Sequence, residues 1–177
     1  LWNKVCGVPV IGTDDNLAKI FKSGIKDCFI SVGSIGIPRL RIKLCKLAKK
    51  IGFRFPNLIS PLAVISPSVI LGQGNYVASG TIINSGVKIG DNCIINTAAI
   101  IEHDCEIGDF VHLSPGSLLS GGVWVGKNSH IGIGSIITQD VRIGEESLVG
   151  AGSVVTKNVH SRVIVYGNPC KEIRKNA

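Results

Sequence analysis

The chain has 177 residues, 45% of them hydrophobic and only 5% aromatic, so it can hold one large aliphatic core or two small ones. Its net charge of +7 is uneven: residues 1–60 carry eleven Lys and Arg against three Asp and Glu, residues 61–160 four against eight, and residues 161–177 four against one. No apolar run approaches the roughly eighteen residues of a membrane span, no signal peptide opens the chain, and no aromatic–basic interleaving points to nucleic acid.

In chain order, Val8–Ile11 reads as a short strand, and Thr13 or Asp14 caps a helix that buries Leu17, Ala18 and Phe21 and closes at Gly24. Cys28–Val32 reads as a second strand, ending at Gly33-Ser34. Pro38 suits the first turn of a helix whose stripe is Leu40, Leu44, Leu47, Ala48 and Ile51, with Lys43, Lys46, Lys49 and Lys50 wet and Gly52 at its end. Phe53–Leu58 makes a third strand. Alternating strands and helices imply a small parallel sheet, so residues 1–60 read as a partial α/β, Rossmann-like substrate domain. The strand and Gly-rich turn that open such units are not found before Trp2. Gly33 and Ser34 sit where open α/β sheets bind ligands, although an ordinary strand-to-helix turn reads the same way. The basic end suits phosphate-bearing small molecules or is a solvated lysine-rich helix.

From Ile65 the period changes. An aliphatic residue recurs every six positions through Leu71, Val77, Ile83, Ile89, Ile95, Ile101, Ile107, Leu113, Leu119, Val125, Ile131, Ile137, Ile143, Val149 and Val155. Gly often follows it directly, and a small or β-branched residue such as Cys93, Ala99, Cys105 or Ser117 stands four places on. That period fits a parallel β-helix with three short strands per triangular coil. At about 4.8 Å between strands the prism is about 25 Å tall. No coil buries its apolar face alone, so the ends need caps. Residues 61–160 are this β-helix. Residues 161–177 form a turn, Gly167-Asn168-Pro169, and a basic helical tail with Lys171, Arg174 and Lys175. The six cysteines show no CxxC pair, and Cys93 and Cys105 act as small apolar fillers. This implies reduced thiols in a cytoplasm.

The chain has four histidines: His103, His112, His130 and His160. A prism wall offers no deep cavity, so a reactive group must stand on a corner or an outer face. His103 is flanked by Glu102 and Asp104 at a turn position. A neighbouring carboxylate raises imidazole basicity and fixes its tautomer, which equips a general base; a surface histidine among acids is the alternative. His112 and His130, eighteen residues apart, stack on one face. Two stacked imidazoles could hold a metal, although no carboxylate converges on that ladder, and they could equally be outward side chains that the repeat aligns.

The run Ile94-Ile95-Asn96-Thr97, then Ile101-Glu102-His103-Asp104-Cys105, Ile107-Gly108-Asp109-Phe110-Val111-His112, Ser120-Gly121-Gly122 and Gly167-Asn168-Pro169 resembles the sugar O-acyltransferase family of the hexapeptide-repeat acyltransferases. That family covers sialic acid O-acetyltransferases and N-acetyltransferases of UDP-4-amino sugars. The stretches Gly7-Val8-Pro9-Val10-Ile11-Gly12-Thr13-Asp14-Asp15 and Phe29-Ile30-Ser31-Val32-Gly33-Ser34 resemble its N-terminal domain. The resemblance implies a left-handed coil and acetyl-CoA as co-substrate, with no metal. It implies a homotrimer with the coenzyme between protomers, acting on a sugar or nucleotide sugar and not on nucleic acid or membrane. By the same resemblance His103 is the catalytic base, Asp104 supports it, and Asn96 and Glu102 surround it. His112, Gly121, Ile133 and Ala151 line the coenzyme site. A backbone N–H or His112 would steady the oxyanion. A non-enzymatic scaffold and a zinc lyase of the carbonic anhydrase type are the rival readings.

Overall fold

In the computed structural model, which describes residues 4–176, every aliphatic residue of the sixfold series ends a two-residue strand. From Val77 to Val155 none of them is more than 4% exposed. Each strand pairs in parallel with those one coil away, so that Ile101 lies between Ile83 and Leu119. The result is three sheets, one on each face of a prism, parallel throughout the coils. The small residues four places on, Thr81, Cys93, Ala99, Cys105, Ser117, Ser129, Ser135, Ser147 and Ser153, are buried with the aliphatics.

The faces differ in what they turn outward. One, six-stranded, presents only aliphatics: Val64, Ile82, Ile100, Leu118, Ile136 and Val154. The five-stranded face presents Ile70, Lys88, Glu106, Trp124 and Arg142. The eight-stranded face carries His112 and His130 in register on adjacent strands. These are called below the aliphatic, charged and histidine faces.

Two different sets of residues shape the turns. The left-handed backbone falls three residues after each aliphatic, from Gly74 to Gly152 without a miss, and Asn92, Ala98, Asp104, Phe110, Asn128, Asp140 and Glu146 adopt it as well. The glycines directly after the aliphatics answer a close approach instead. A Cβ on Gly108 would lie 2.6 Å from the backbone nitrogen of Lys127 in the next coil, and one on Gly126 2.6 Å from that of Glu145. Gly72, Gly90, Gly108, Gly126 and Gly144 therefore form one corner that no side chain can enter.

The N-terminal helices lie against the prism wall, at the turn that carries Asn92. Helix α1 spans Leu17–Lys22 and α2 spans Arg39–Ile51. Gly52 ends α2 at φ 108, as expected of a left-handed terminator, and Pro38 stands at the N-cap, one place before the first turn. The buried side of α2 is rotated from the predicted stripe: Arg41, Cys45 and Ala48 are buried, whereas Leu40 and Leu47 are 54% and 37% exposed. The reason is polar. Arg41 Nη2 donates to the Asn92 carbonyl at 2.7 Å, and Cys45 Sγ lies 3.5 Å from Asn92 Oδ1, which turns that side onto the prism. Cys45, Ala48, Phe53 and Phe55 form a second small core that reaches Phe110 of the prism.

Two expectations are corrected. Among the described residues, 4–60 contain no parallel sheet of their own. Val8–Pro9 pairs antiparallel with Lys4–Val5, and a single parallel bridge joins Asp27 to Arg54. Leu58–Ile59 pairs with Tyr76–Val77 instead, so the end of the third predicted strand becomes the first rung of the histidine face. The α/β, Rossmann-like reading thus reduces to a small helical region with extended connections. The C-terminal segment is also not helical. Cys170–Lys175 is a strand, antiparallel to Val163–Gly167, which stacks in parallel on Leu148–Val149. The top coil leaves an open strand edge, and pairing satisfies backbone groups there that a helix would leave unpaired.

Candidate active site

His103 follows Ile101 at the corner between the aliphatic and charged faces. Asp104 occupies one of the left-handed positions, φ 60, which Asp tolerates better than most residues. Its Oδ2 accepts from His103 Nδ1 at 2.9 Å. The proton is therefore on Nδ1, and the Nε2 lone pair is free. The hydrogen bond to Asp104, aided by the charges of Asp104, Glu102 and Asp140, pushes this exposed imidazole above its ordinary pKa. Gly121, one coil on, lies directly against the ring: a Cβ there would stand 2.6 Å from both Cε1 and Nε2. Glu102 is held by Asn84, whose Nδ2 donates to Oε2 at 2.9 Å.

A second cluster lies around the histidine face. His112 Nδ1 donates to the Ser34 carbonyl at 2.9 Å, and Asn96 Nδ2 lies 3.4 Å from its Nε2. His130 packs edge-on against it, with ring centroids 4.6 Å apart and an 81° angle, and its Nε2 lies 3.1 Å from Ser114 Oγ. Burial lowers the pKa of His112, with the Arg41 charge adding to that and the Ser34 contact opposing it. Burial and His112 push His130 down to about 4. Two concavities meet here. A cavity of about 380 Å³ is lined by Phe29, Gly33, Tyr76, Asn96 and His112 among others. A groove of about 350 Å³ is lined by Ile35, His112, His130, Ile133 and Ala151 among others. The expectation of no deep cavity holds for the prism wall alone; the N-terminal region builds the first cavity against it.

The predicted residues thus form two groups. His103, Asp104, Glu102 and Gly121 share one corner, with Gly121 against the base and away from the groove. Gly33, Ser34, Asn96, His112, Ile133 and Ala151 gather at the histidine face. Asn96 bonds His112, and within one chain no hydrogen bond joins it to His103 among the described residues. Sequence reasoning missed Asn84, Arg41 and the pairing of His130 with Ser114. Asn84 was findable, because it stands one coil of eighteen residues before Glu102. Arg41 was not, because a helical arginine reads as wet. Among the described residues no three His, Cys, Asp or Glu side chains converge to hold a metal ion.

A family model described as bacterial transferase hexapeptide (six repeats) matches residues 86–121 and 122–157. Curated proteins give no match. Among solved structures, a mutant of perosamine N-acetyltransferase from Caulobacter crescentus, in complex with CoA and GDP-perosamine, is 43% identical with a TM-score of 0.91, over 96% of this chain and 79% of that one. The acetyltransferase domain of PglB from Neisseria gonorrhoeae, in complex with acetyl coenzyme A, is 36% identical with a TM-score of 0.89, over 98% and 82%. WeeI from Acinetobacter baumannii is 29% identical with a TM-score of 0.82, over 97% and 81%. With a base-like histidine on a repeat corner, an apolar groove beside the same coils and these relatives along nearly its whole length, the chain belongs to the hexapeptide-repeat acyltransferases, close to the nucleotide-sugar N-acetyltransferases.

Proposed function

We propose that this acyltransferase moves the acetyl group of acetyl-CoA onto the amine of a nucleotide-linked amino sugar, with His103 as general base. Nε2 takes the proton as the amine attacks the thioester carbonyl, and Asp104 steadies the imidazolium that forms. The proton can then pass to the departing thiolate. The observation that carries this reading is the His103–Asp104 pair with Gly121 pressed against its ring. A scaffold has no need to keep a side chain off an exposed imidazole. The relatives that hold CoA with GDP-perosamine, or acetyl-CoA, supply the substrate class and favour an amine over a hydroxyl. Gly33, beside the 380 Å³ cavity, and Ser34 would face the sugar nucleotide, while Ile133 and Ala151 would line the coenzyme arm. Acetyl-CoA and a panel of nucleotide-linked amino sugars test this. His103→Ala should cut turnover by about 10²–10⁴-fold while CoA still binds; normal turnover in that variant would remove His103 from the role.

The assembly we propose is a homotrimer. Among the described residues nothing covers the aliphatic face, and Val64 and Ile136 are 66% and 42% exposed on it. Such a patch marks an interface. Packing further copies against it would bring the His103 corner of one copy to the His112 groove of its neighbour, and would give Asn96 a route to the base. Light scattering should show three copies, and Leu118→Glu should give monomers that have lost turnover; a fully active monomer would exclude the shared site. The free cysteines fit a cytoplasmic site of action, and no helix among the described residues is long and apolar enough to cross a membrane.

A further inference from the structure

His112 is the wall shared by the two concavities, and residues 33–35 are the septum between them: Gly33 lines the cavity, Ile35 lines the groove, and the Ser34 carbonyl is bound to the imidazole. That bond settles where the proton is. A carbonyl oxygen can only accept, so Nδ1 carries the hydrogen, and in the neutral ring Nε2 carries a lone pair. A separate contact agrees. The Thr97 backbone N–H donates to Asn96 Oδ1 at 2.8 Å. This fixes which way the Asn96 amide points, and its Nδ2 donor is the end that faces His112 Nε2, at 3.4 Å. That distance is long for a hydrogen bond, so a ligand can supply a better donor.

Around the ring only the Ser34 carbonyl favours a second proton, and burial with the Arg41 charge outweighs it. The ring is largely buried, the Arg41 guanidinium on α2 adds an unfavourable positive charge, and His130 on the adjoining coil is itself held neutral. Ser34, Asn96 and Thr97 contribute no charge. Arg41 is 2% exposed, and the Nε and Nη1 of its guanidinium have no hydrogen-bond partner among the described residues. Its charge therefore stays beside the imidazole, not spent on a carboxylate.

We infer that His112 binds substrate as a hydrogen-bond acceptor, its Nε2 receiving an N–H from the pantetheine arm of the coenzyme or from the amino sugar, and that the Ser34 main chain sets this polarity. The inference rests on the acetyltransferase reading for its ligands. It removes neutral His112 from the task of steadying an oxyanion, because Nε2 has no hydrogen to donate; a backbone N–H is left with that work. It also makes Ser34 a positioning residue that ties the N-terminal region to the coenzyme groove.

Two measurements test it. In the ligand-free protein near neutral pH, nitrogen-15 spectra of the histidine side chains should show His112 as the Nδ1–H tautomer; an Nε2–H tautomer overturns the inference without touching the acetyltransferase reading. Calorimetric titration of CoA and of GDP-perosamine, each alone, over a pH series then asks which ligand supplies the donor. For that ligand Kd should rise about tenfold per pH unit once His112 protonates, because only the neutral ring is competent. In His112→Gln the slope should be shallower by that one proton, which separates the ring from the titrating phosphates of the ligand. A slope in the CoA arm names the pantetheine amide, and one in the sugar arm names the amine. Equal slopes in wild type and variant for both ligands, or tighter binding on acidification, overturn the inference. Failure of either ligand to bind at any pH sinks the acetyltransferase reading instead, and the inference with it.

Discussion

His103 and His112 stand nine residues apart in the repeat and share a tautomer, yet their surroundings give them opposite chemistry. Both donate from Nδ1 and leave Nε2 open. The partner of His103 is a carboxylate at an exposed corner, which raises its affinity for a proton. The partner of His112 is a neutral carbonyl under the N-terminal region, where burial lowers it. One ring is equipped to take a proton, the other to hold a lone pair and refuse one. The lesson is that the acceptor on Nδ1, together with burial, decides which work an imidazole can do.

The buried side of this contrast should show most strongly in stability. His130, held near 4 against an ordinary value of about 6.5, stays neutral in the folded chain while the unfolded chain takes up a proton. Its folded pKa is depressed, so stability is complete above about pH 6.5 and is lost as pH falls towards 4, on the order of 3 kcal/mol by linkage. Urea unfolding over that range checks this, and His130→Gln should flatten the dependence. An unchanged profile would mean that the pair is wetter than its burial indicates.

The exposed side should show in turnover. Gly121→Val would drive a Cβ into the space of the His103 ring and swing it aside. Misplacing a reacting group by about 1 Å can cost about 10²-fold, and because the ring is exposed the melting temperature should barely move. Steady-state rates beside a thermal melt separate this from unfolding. The smallest effect concerns the acid limb of the pH–rate profile. As the proposed base His103 must be neutral, and Asp104 raises its pKa, so activity should fall on acidification from a higher pH than a free imidazole would give. Asp104→Asn should shift that limb to lower pH. A limb that stayed in place would assign it to another group.

The prism was legible because sixteen aliphatic residues in register leave no competing period. The corner carrying His103, Glu102 and Asp104 was legible too, since neighbours in sequence remain neighbours on a turn. Within one chain Asn96 stands apart from His103 because a hexad separates it from Glu102, and in this fold a hexad is the step from one corner to the next. The α2 stripe failed at Leu40 and Leu47 because the Arg41 and Cys45 contacts to Asn92 decided the helix rotation, and no periodicity encodes a long-range polar contact. The tail was misread as helix because its strand pairing depends on an edge that exists only once the coils are stacked.

The repeat of six within a coil of eighteen separates two kinds of sequence change. Inserting a whole coil lengthens the prism and leaves every face where it was. Inserting a single hexad keeps all the aliphatics pointing inward, yet rotates everything downstream by a third of a turn, carrying Ile133 and Ala151 out from beside His112. The interior would pack as before while the groove beside His112 was dismantled, so among indels in these coils, the ones that preserve folding need not preserve activity.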